Sequence, residues 1–415
     1  MLEAPRLPLL VRTANALARP LARALPQLSL DPERLVREAS QRTGLADFGD
    51  DDHWRSGLGI FCAALEAEAE LTPLGRTIAR GSVLSALENR LRMTDWRRRH
   101  PEIDAERIEK PVIVIGMGRT GTTILHDLIA RDPAVRVPLT WEVDTPCPPP
   151  EAASYDSDPR IAAADARLAR TDALIPGFKS MHPMGALLPQ ECVTMLNTEL
   201  ASVAFHLQFR VPGYSRWLHE EADLAAVYRG HRRWLQLLQW RKPGRWVLKS
   251  PCHLWHLRAL VAAYPDAKLV QTHRDPLKVV ASLTSLAVTL RKMASDAIDP
   301  RQIAREWSDA NAYAYEQSVR ARVEGWIRPE RVLDLHFHDF LRDPFETLEQ
   351  LYAFAGLAWT PDVERRMREY WDAHPADEHG KHTYRFSDTG LDERTEREKV
   401  KRYVEHFGVR EERVS

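Results

Sequence analysis

The segment Val112–Thr123, VIVIGMGRTGTT, constrains this chain more than any other. Four consecutive apolar residues, Val112 to Ile115, predict a strand buried on both faces, which needs a parallel sheet with helices above and below it. Glycine then recurs at 116, 118 and 121 before an apolar run resumes at Ile124, so a tight loop feeds a helix. Such a loop gathers backbone N–H groups at a helix N-terminus, and those groups hold an anion. The question is which anion.

Charge and composition narrow the answer. The chain has 415 residues, enough for two or three domain-sized units, and a formal net charge of -1. Near-neutrality argues against a nucleic-acid partner while leaving room for a local basic pocket. The four cysteines, at 62, 147, 192 and 252, contain no C-x-x-C pair, so a reducing compartment, the cytoplasm, is expected. No apolar run approaches the length of a membrane span. At the N-terminus, Leu7, Leu10, Leu17, Leu21 and Leu25 fall on one side of a helical wheel, opposite Arg12, Arg19 and Arg23. A basic amphipathic helix of this kind either packs on the protein or lies on an anionic membrane surface. Pro8 and Pro20 argue against one continuous helix.

Residues 1 to about 108 carry helical spacing and no strand signal, and form a helical N-terminal region. In the GDDDHW cluster, Gly49 to Trp54, acidic residues open a helix and favour its dipole. From 109 onward strands and helices alternate. Strands are expected at 112–115, 134–138, 245–251, 267–273 and 331–337, and helices at 123–131, after the third strand through Tyr264, and around 345–357. Between about 145 and 244 the pattern is helical, irregular and rich in Met, Trp and His, as in an insertion that shapes a substrate pocket. A cap follows at about 375–415, where basic residues of HGKHTYRFSDTGL, 379–391, are positioned to reach a phosphate. The fold class is therefore α/β, a central parallel sheet flanked by helices, with helical additions.

Three phosphate-binding readings fit the loop. Gly116-x-Gly118-x-x-Gly121 is a complete dinucleotide fingerprint with Glu142 near the position of a ribose-binding acid, which would make the chain a nicotinamide-dependent oxidoreductase. Gly116 and Gly121 also have the spacing of a nucleotide-kinase loop, but Thr122 replaces the lysine that reaches the terminal phosphates. In the third reading the cation sits forward, at Arg119, and Thr122 and Thr123 supply hydroxyls at the helix start. The chemistry then suits a terminal oxyanion held by a guanidinium fork.

This third loop resembles the 5′-phosphosulfate loop of sulfotransferases, in which a basic residue precedes Ser/Thr-Gly-Thr-Thr. A second motif supports the likeness. In HRDPLKVVASLTSL, Arg274 ends a strand and Ser282 follows after about two helical turns, so both side chains can meet one small anion. In the sulfotransferase pattern this pair binds the nucleotide's 3′-phosphate, which neither NAD nor ATP carries. The blocks FGDDDHW, WE before PCPPP, WVLKSP and HDFLRDPFETLEQLYAFAGL extend the resemblance over most of the chain. It implies a P-loop NTPase-like fold and 3′-phosphoadenosine 5′-phosphosulfate as donor. The donor site is then Gly118, Arg119, Thr120, Gly121, Thr122 and Thr123 with Arg274 and Ser282.

Sulfuryl transfer is an in-line displacement with no covalent enzyme intermediate. It needs positioning, positive charge on the leaving phosphate, and a base for the acceptor proton. Lys249, which ends a strand, resembles the family's sheet-edge lysine. For the base Glu142 ranks first, near where tyrosine-sulfating members of the fold carry a glutamate. His253 comes next, displaced because Pro251 occupies the family's histidine position, and then His182 and Glu191. No metal is needed, and neither His253 with His256 nor His336 with His338 has a third ligand at recognisable spacing. The acceptor is a small molecule, lipid or carbohydrate. Met181, Met184, Met195, Trp217, Trp234 and Trp240 favour an apolar alcohol if they line the pocket, although residues so spaced also build plain core. A scaffold that kept the fold but lost turnover is the non-enzyme alternative.

Overall fold

In the computed structural model, residues 7–23, 25–174, 184–374 and 384–414 are described. Five parallel strands form one sheet: β1 (Val112–Ile115), β2 (Val135–Arg136), β3 (Arg245–Lys249), β4 (Lys268–His273) and β5 (Val332–His336). Their spatial order is β2-β3-β1-β4-β5. Alternation along β1 divides its side chains between the two faces. Ile113 and Ile115 join a large core with Leu248 and Leu269, under helices Leu224–Gln239, Pro276–Ala294 and Pro300–Val323. Val112 and Val114 face the other way, onto Leu125, Leu128, Leu348 and Leu351. Both faces are thus covered, and this is why β1 is apolar throughout.

Register places the functional edge. Val114 pairs with Lys249, Ile115 with Gln271, and His273 with His336. The carboxyl ends of β1, β3, β4 and β5 therefore lie side by side, where open α/β sheets bind their ligands.

The N-terminal helices Pro32–Thr43, His53–Ala67 and Pro73–Arg99 build a second core, but not alone. Phe61 stacks on Phe205 at 4.2 Å and meets Tyr214 at 5.2 Å, so helices Val203–Gln208 and Pro212–Glu220 of the insertion close the same core. Asp51 of the acidic cluster pairs with Arg229 and Arg233 at 3.1 and 2.7 Å rather than capping a helix. At the start of the described chain, a helix spans only Leu9–Ala18, with Pro8 before it and Pro20 in the short 3-10 turn after it.

Candidate active site

The loop between β1 and helix Thr122–Ile129 is held by close approaches that its residue types permit. Gly116 has φ 144°, and a Cβ there would lie 2.1 Å from Thr272 Oγ1. Thr120 turns inward, its hydroxyl bonded to the Met117 carbonyl at 2.7 Å and to Thr272 Oγ1 at 2.6 Å. Gly121, at φ 87°, precedes the helix, and no side chain caps the helix start. That leaves the first-turn N–H groups to face an anion. Thr120 therefore shapes the loop, while Gly121, Thr122 and Thr123 form its cradle.

Cations flank the cradle on two sides. On the first, Lys249 is buried at the end of β3, its Nζ 2.6 Å from Glu191 Oε1 and 3.5 Å from Thr123 Oγ1. On the second, Arg119 Nε donates to Ser282 Oγ at 3.0 Å, and the Arg274 guanidinium donates to the Arg119 carbonyl at 3.0 Å. Arg119 adopts φ 74°, a left-handed conformation unusual for a residue with a Cβ, and so turns towards Ser282. Burial and the nearby Arg274 cation pull its pKa below the usual arginine value, with Tyr384 opposing. Arg274 itself lies over the Phe337 ring at 4.1 Å and forks onto the Glu412 carboxylate at 2.8 and 3.2 Å. Asp275, beside it, is engaged elsewhere, with Arg397 at 2.7 Å.

Two cations and a serine hydroxyl thus meet on one side of a glycine loop, and a lysine on the other. Comparison with known proteins gives this geometry its context. Residues 111–361 match the model of the sulfotransferase family. The chain belongs to that family. The crystal structure of the sulfotransferase STF9 from Mycobacterium avium is similar at 31% identity, with a TM-score of 0.84 over 91% of this chain and 97% of that one. Sulfotransferase STF1 from Mycobacterium tuberculosis H37Rv is similar at 33% identity, with a TM-score of 0.79 over 89% of this chain and 97% of that one. The omega-hydroxy-beta-dihydromenaquinone-9 sulfotransferase Stf3 of Mycobacterium bovis is 25% identical over 285 residues, 64% of this chain and 68% of that protein.

This sulfotransferase also shows why the dinucleotide reading fails. In that fold the first strand lies beside the second, whereas here β3 separates β1 from β2. Nor is Glu142 open to a ribose. It is fully buried, accepting from Arg136 at 2.7 Å and from the Leu139 N–H at 3.0 Å, and it stabilises the start of helix Thr140–Asp144. The same bonds bear on its ranking as base, because both carboxylate oxygens hold the β2 turn together. His253 is also fully buried, with Nδ1 2.7 Å from the Tyr228 hydroxyl and its ring beside Tyr228 and His231. His182 lies outside the described residues. Of the four candidates, Glu191 is the one whose carboxylate contacts the lysine at the loop.

Some contributors escaped the sequence reading. Thr272 shapes the loop from β4, Phe337 does so from the start of the helix after β5, and Glu412 reaches Arg274 from far along the chain. No local pattern announces any of them. Of the basic residues expected in the cap, His379, Lys381 and His382 fall outside the described residues, and Arg385 is exposed. Met195 and Trp234 are core, Trp234 donating to Thr198 at 2.9 Å, while Trp217 and Trp240 are partly buried against the cores. Met181 lies outside the described residues.

Proposed function

We propose that this sulfotransferase takes its sulfuryl group from 3′-phosphoadenosine 5′-phosphosulfate and passes it to the hydroxyl of a lipid-like acceptor. The carrying observation is the Arg119–Ser282–Arg274 cluster, joined by bonds of 3.0 Å and separate from Lys249. A donor with two well-separated anionic groups suits two separate cation sites. In this reading Arg274, Ser282 and Arg119 take the 3′-phosphate. Gly118, Gly121, Thr122 and Thr123 cradle the 5′-phosphosulfate, and Lys249 stabilises charge on the leaving phosphate. The sequence reading placed Arg119 on the phosphosulfate; its contact with Ser282 favours the 3′-phosphate. Glu191 accepts the acceptor's proton from its place against Lys249.

The relatives support a hydroxylated lipid as acceptor, since one of them is named for an omega-hydroxy menaquinone derivative. Peripheral membrane contact fits the same reading. Leu9, Leu10 and Leu17 are 72, 84 and 77% exposed on the first helix, a row that would enter an interface. Replacing all three with Ser should abolish co-sedimentation with anionic phosphatidylglycerol vesicles, and unchanged sedimentation would refute the contact. No described helix is long and apolar enough to cross a membrane. Four buried, unpaired cysteines accord with the cytoplasm as the compartment.

Arg274→Ala tests the donor assignment. It should weaken binding of 3′,5′-diphosphoadenosine far more than binding of AMP, and equal losses for both would sink it.

A further inference from the structure

Beneath Glu191 the structure brings together three side chains that the transfer reaction does not use. Cys192 opens helix Cys192–Leu196, His231 belongs to helix Leu224–Gln239, and His253 lies in the turn Pro251–His256 after β3. One donor atom from each lies within 4.8 Å of the other two, and all three residues are buried. The two imidazoles are oriented alike. His231 Nδ1 lies 2.6 Å from the Tyr264 hydroxyl, and His253 Nδ1 lies 2.7 Å from the Tyr228 hydroxyl. The other nitrogen of each ring, Nε2, is buried without a hydrogen-bond partner.

Two orphaned ring nitrogens beside a thiol are costly, because a buried polar atom left unpaired has given up its bond to water for nothing. A cation that binds imidazole and thiolate removes that cost at both nitrogens. The tyrosines complete the design. A metal-bound histidine turns its second N–H onto an oxygen partner, which fixes tautomer and ring orientation, and here a phenol oxygen waits at each Nδ1. Ligands around such an ion sit roughly 3.3–3.7 Å apart, so small rotations of three side chains bring all three donors onto one ion.

We propose that Cys192, His231 and His253 form a buried structural site for a thiophilic d10 cation, Zn2+ or Cu+. The set lacks the carboxylate or carbonyl oxygens that Mg2+ or Ca2+ requires. On binding, the Cys192 thiol loses its proton to solvent, the S–H bond is replaced by an S–metal bond, and no electron moves. Because Cys192 directly follows Glu191, the ion anchors the turn that presents Glu191 to Lys249. Neither histidine pair of the sequence enters as a pair: His253 joins this group without His256. His256 is bonded to His219 at 3.1 Å, while His336 lies beside His273 and His338 beside Glu412.

The test uses the full-length chain, stripped with chelator under reductant and then titrated anaerobically with Zn2+, with Cu+ and with Co2+ as a spectroscopic probe. The expected result is about one equivalent of Zn2+ or Cu+ retained through desalting, with a higher Tm than the stripped protein. Co2+ should give a near-ultraviolet thiolate charge-transfer band, lost in Cys192→Ser and kept in Cys62→Ser. Retention below about a tenth of an equivalent for both ions, or a Co2+ band indifferent to Cys192→Ser, overturns the site. Should Cys192→Ser fail to fold, His231→Gln serves in its place, and an unchanged band there is equally decisive against it.

Discussion

The carboxylate of Glu412 occupies the guanidinium fork of Arg274, the position proposed for the nucleotide's 3′-phosphate. Binding then requires that carboxylate to leave, and Glu412→Gln should tighten the complex. The size follows from the geometry. Both side chains are mostly buried, 17 and 15% exposed, and the fork has contacts of 2.8 and 3.2 Å. The pair thus lies between an exposed ion pair, worth up to about 1 kcal/mol, and a charge-assisted bond in the interior, worth about 2. Losing one to two kcal/mol of competition changes affinity by roughly 5- to 30-fold. The main chain need not move, because the Glu412 N–H is tied to Asp275 Oδ2 at 2.6 Å. Calorimetric titration of 3′,5′-diphosphoadenosine into wild type and Glu412→Gln, at one ionic strength, reads the difference directly. AMP, which lacks the 3′-phosphate, should show no gain. Unchanged or weaker binding of the diphosphate would mean that Glu412 orients Arg274 rather than competing for it, and would refute the displacement.

Other perturbations probe the loop and its surroundings. Gly116→Ala places a Cβ against Thr272 Oγ1 and should cost about 3 kcal/mol of stability along with donor binding, readable by chemical denaturation; a wild-type midpoint would refute the close packing. Glu191→Gln should lower kcat by about 100-fold or more while leaving diphosphoadenosine affinity nearly intact, and Glu142→Gln should lower stability instead. Retained turnover in Glu191→Gln would remove it as the base. Asp127 is buried behind the loop, and that burial, against the opposing pull of Lys249 and Arg131, raises its pKa from 3.8 to about 6. The native state therefore binds this proton more tightly than the unfolded chain. Its stabilising effect is complete below about pH 4 and disappears as pH rises through 6. Asp127→Asn should flatten that segment of the stability-versus-pH curve, by at most about 3 kcal/mol; curves that stay parallel between pH 4 and 7 would contradict it.

The strands were readable because a parallel strand covered on both faces must be apolar along its length, as Val112–Ile115 is. The anion loop was readable because glycine spacing reports backbone geometry. Arg274 and Ser282 were readable as a pair because both belong to one strand–helix unit, although the bond each makes to Arg119 was not. Harder to see was which acid faces the lysine. Glu142 and Glu191 differ in partners rather than in local sequence, and only the fold sets Arg136 against one and Lys249 against the other. Glu412 and the Cys192–His231–His253 group lie further beyond such reasoning, because their members come from segments that meet only once helices pack. Ligands that share no element leave no spacing to read.

The core shared between the N-terminal helices and the insertion limits how this enzyme can be rebuilt. Phe61 stacks on Phe205, so the helices before residue 108 form the floor on which the insertion rests. A chain trimmed to the sheet and its loops would keep every residue proposed to bind the donor and lose the support of the segment that carries Glu191. Exchanging the insertion alone between relatives would strand it on a mismatched floor. Chimeras that transplant both segments together should carry acceptor preference with them, and those that move one should carry only instability.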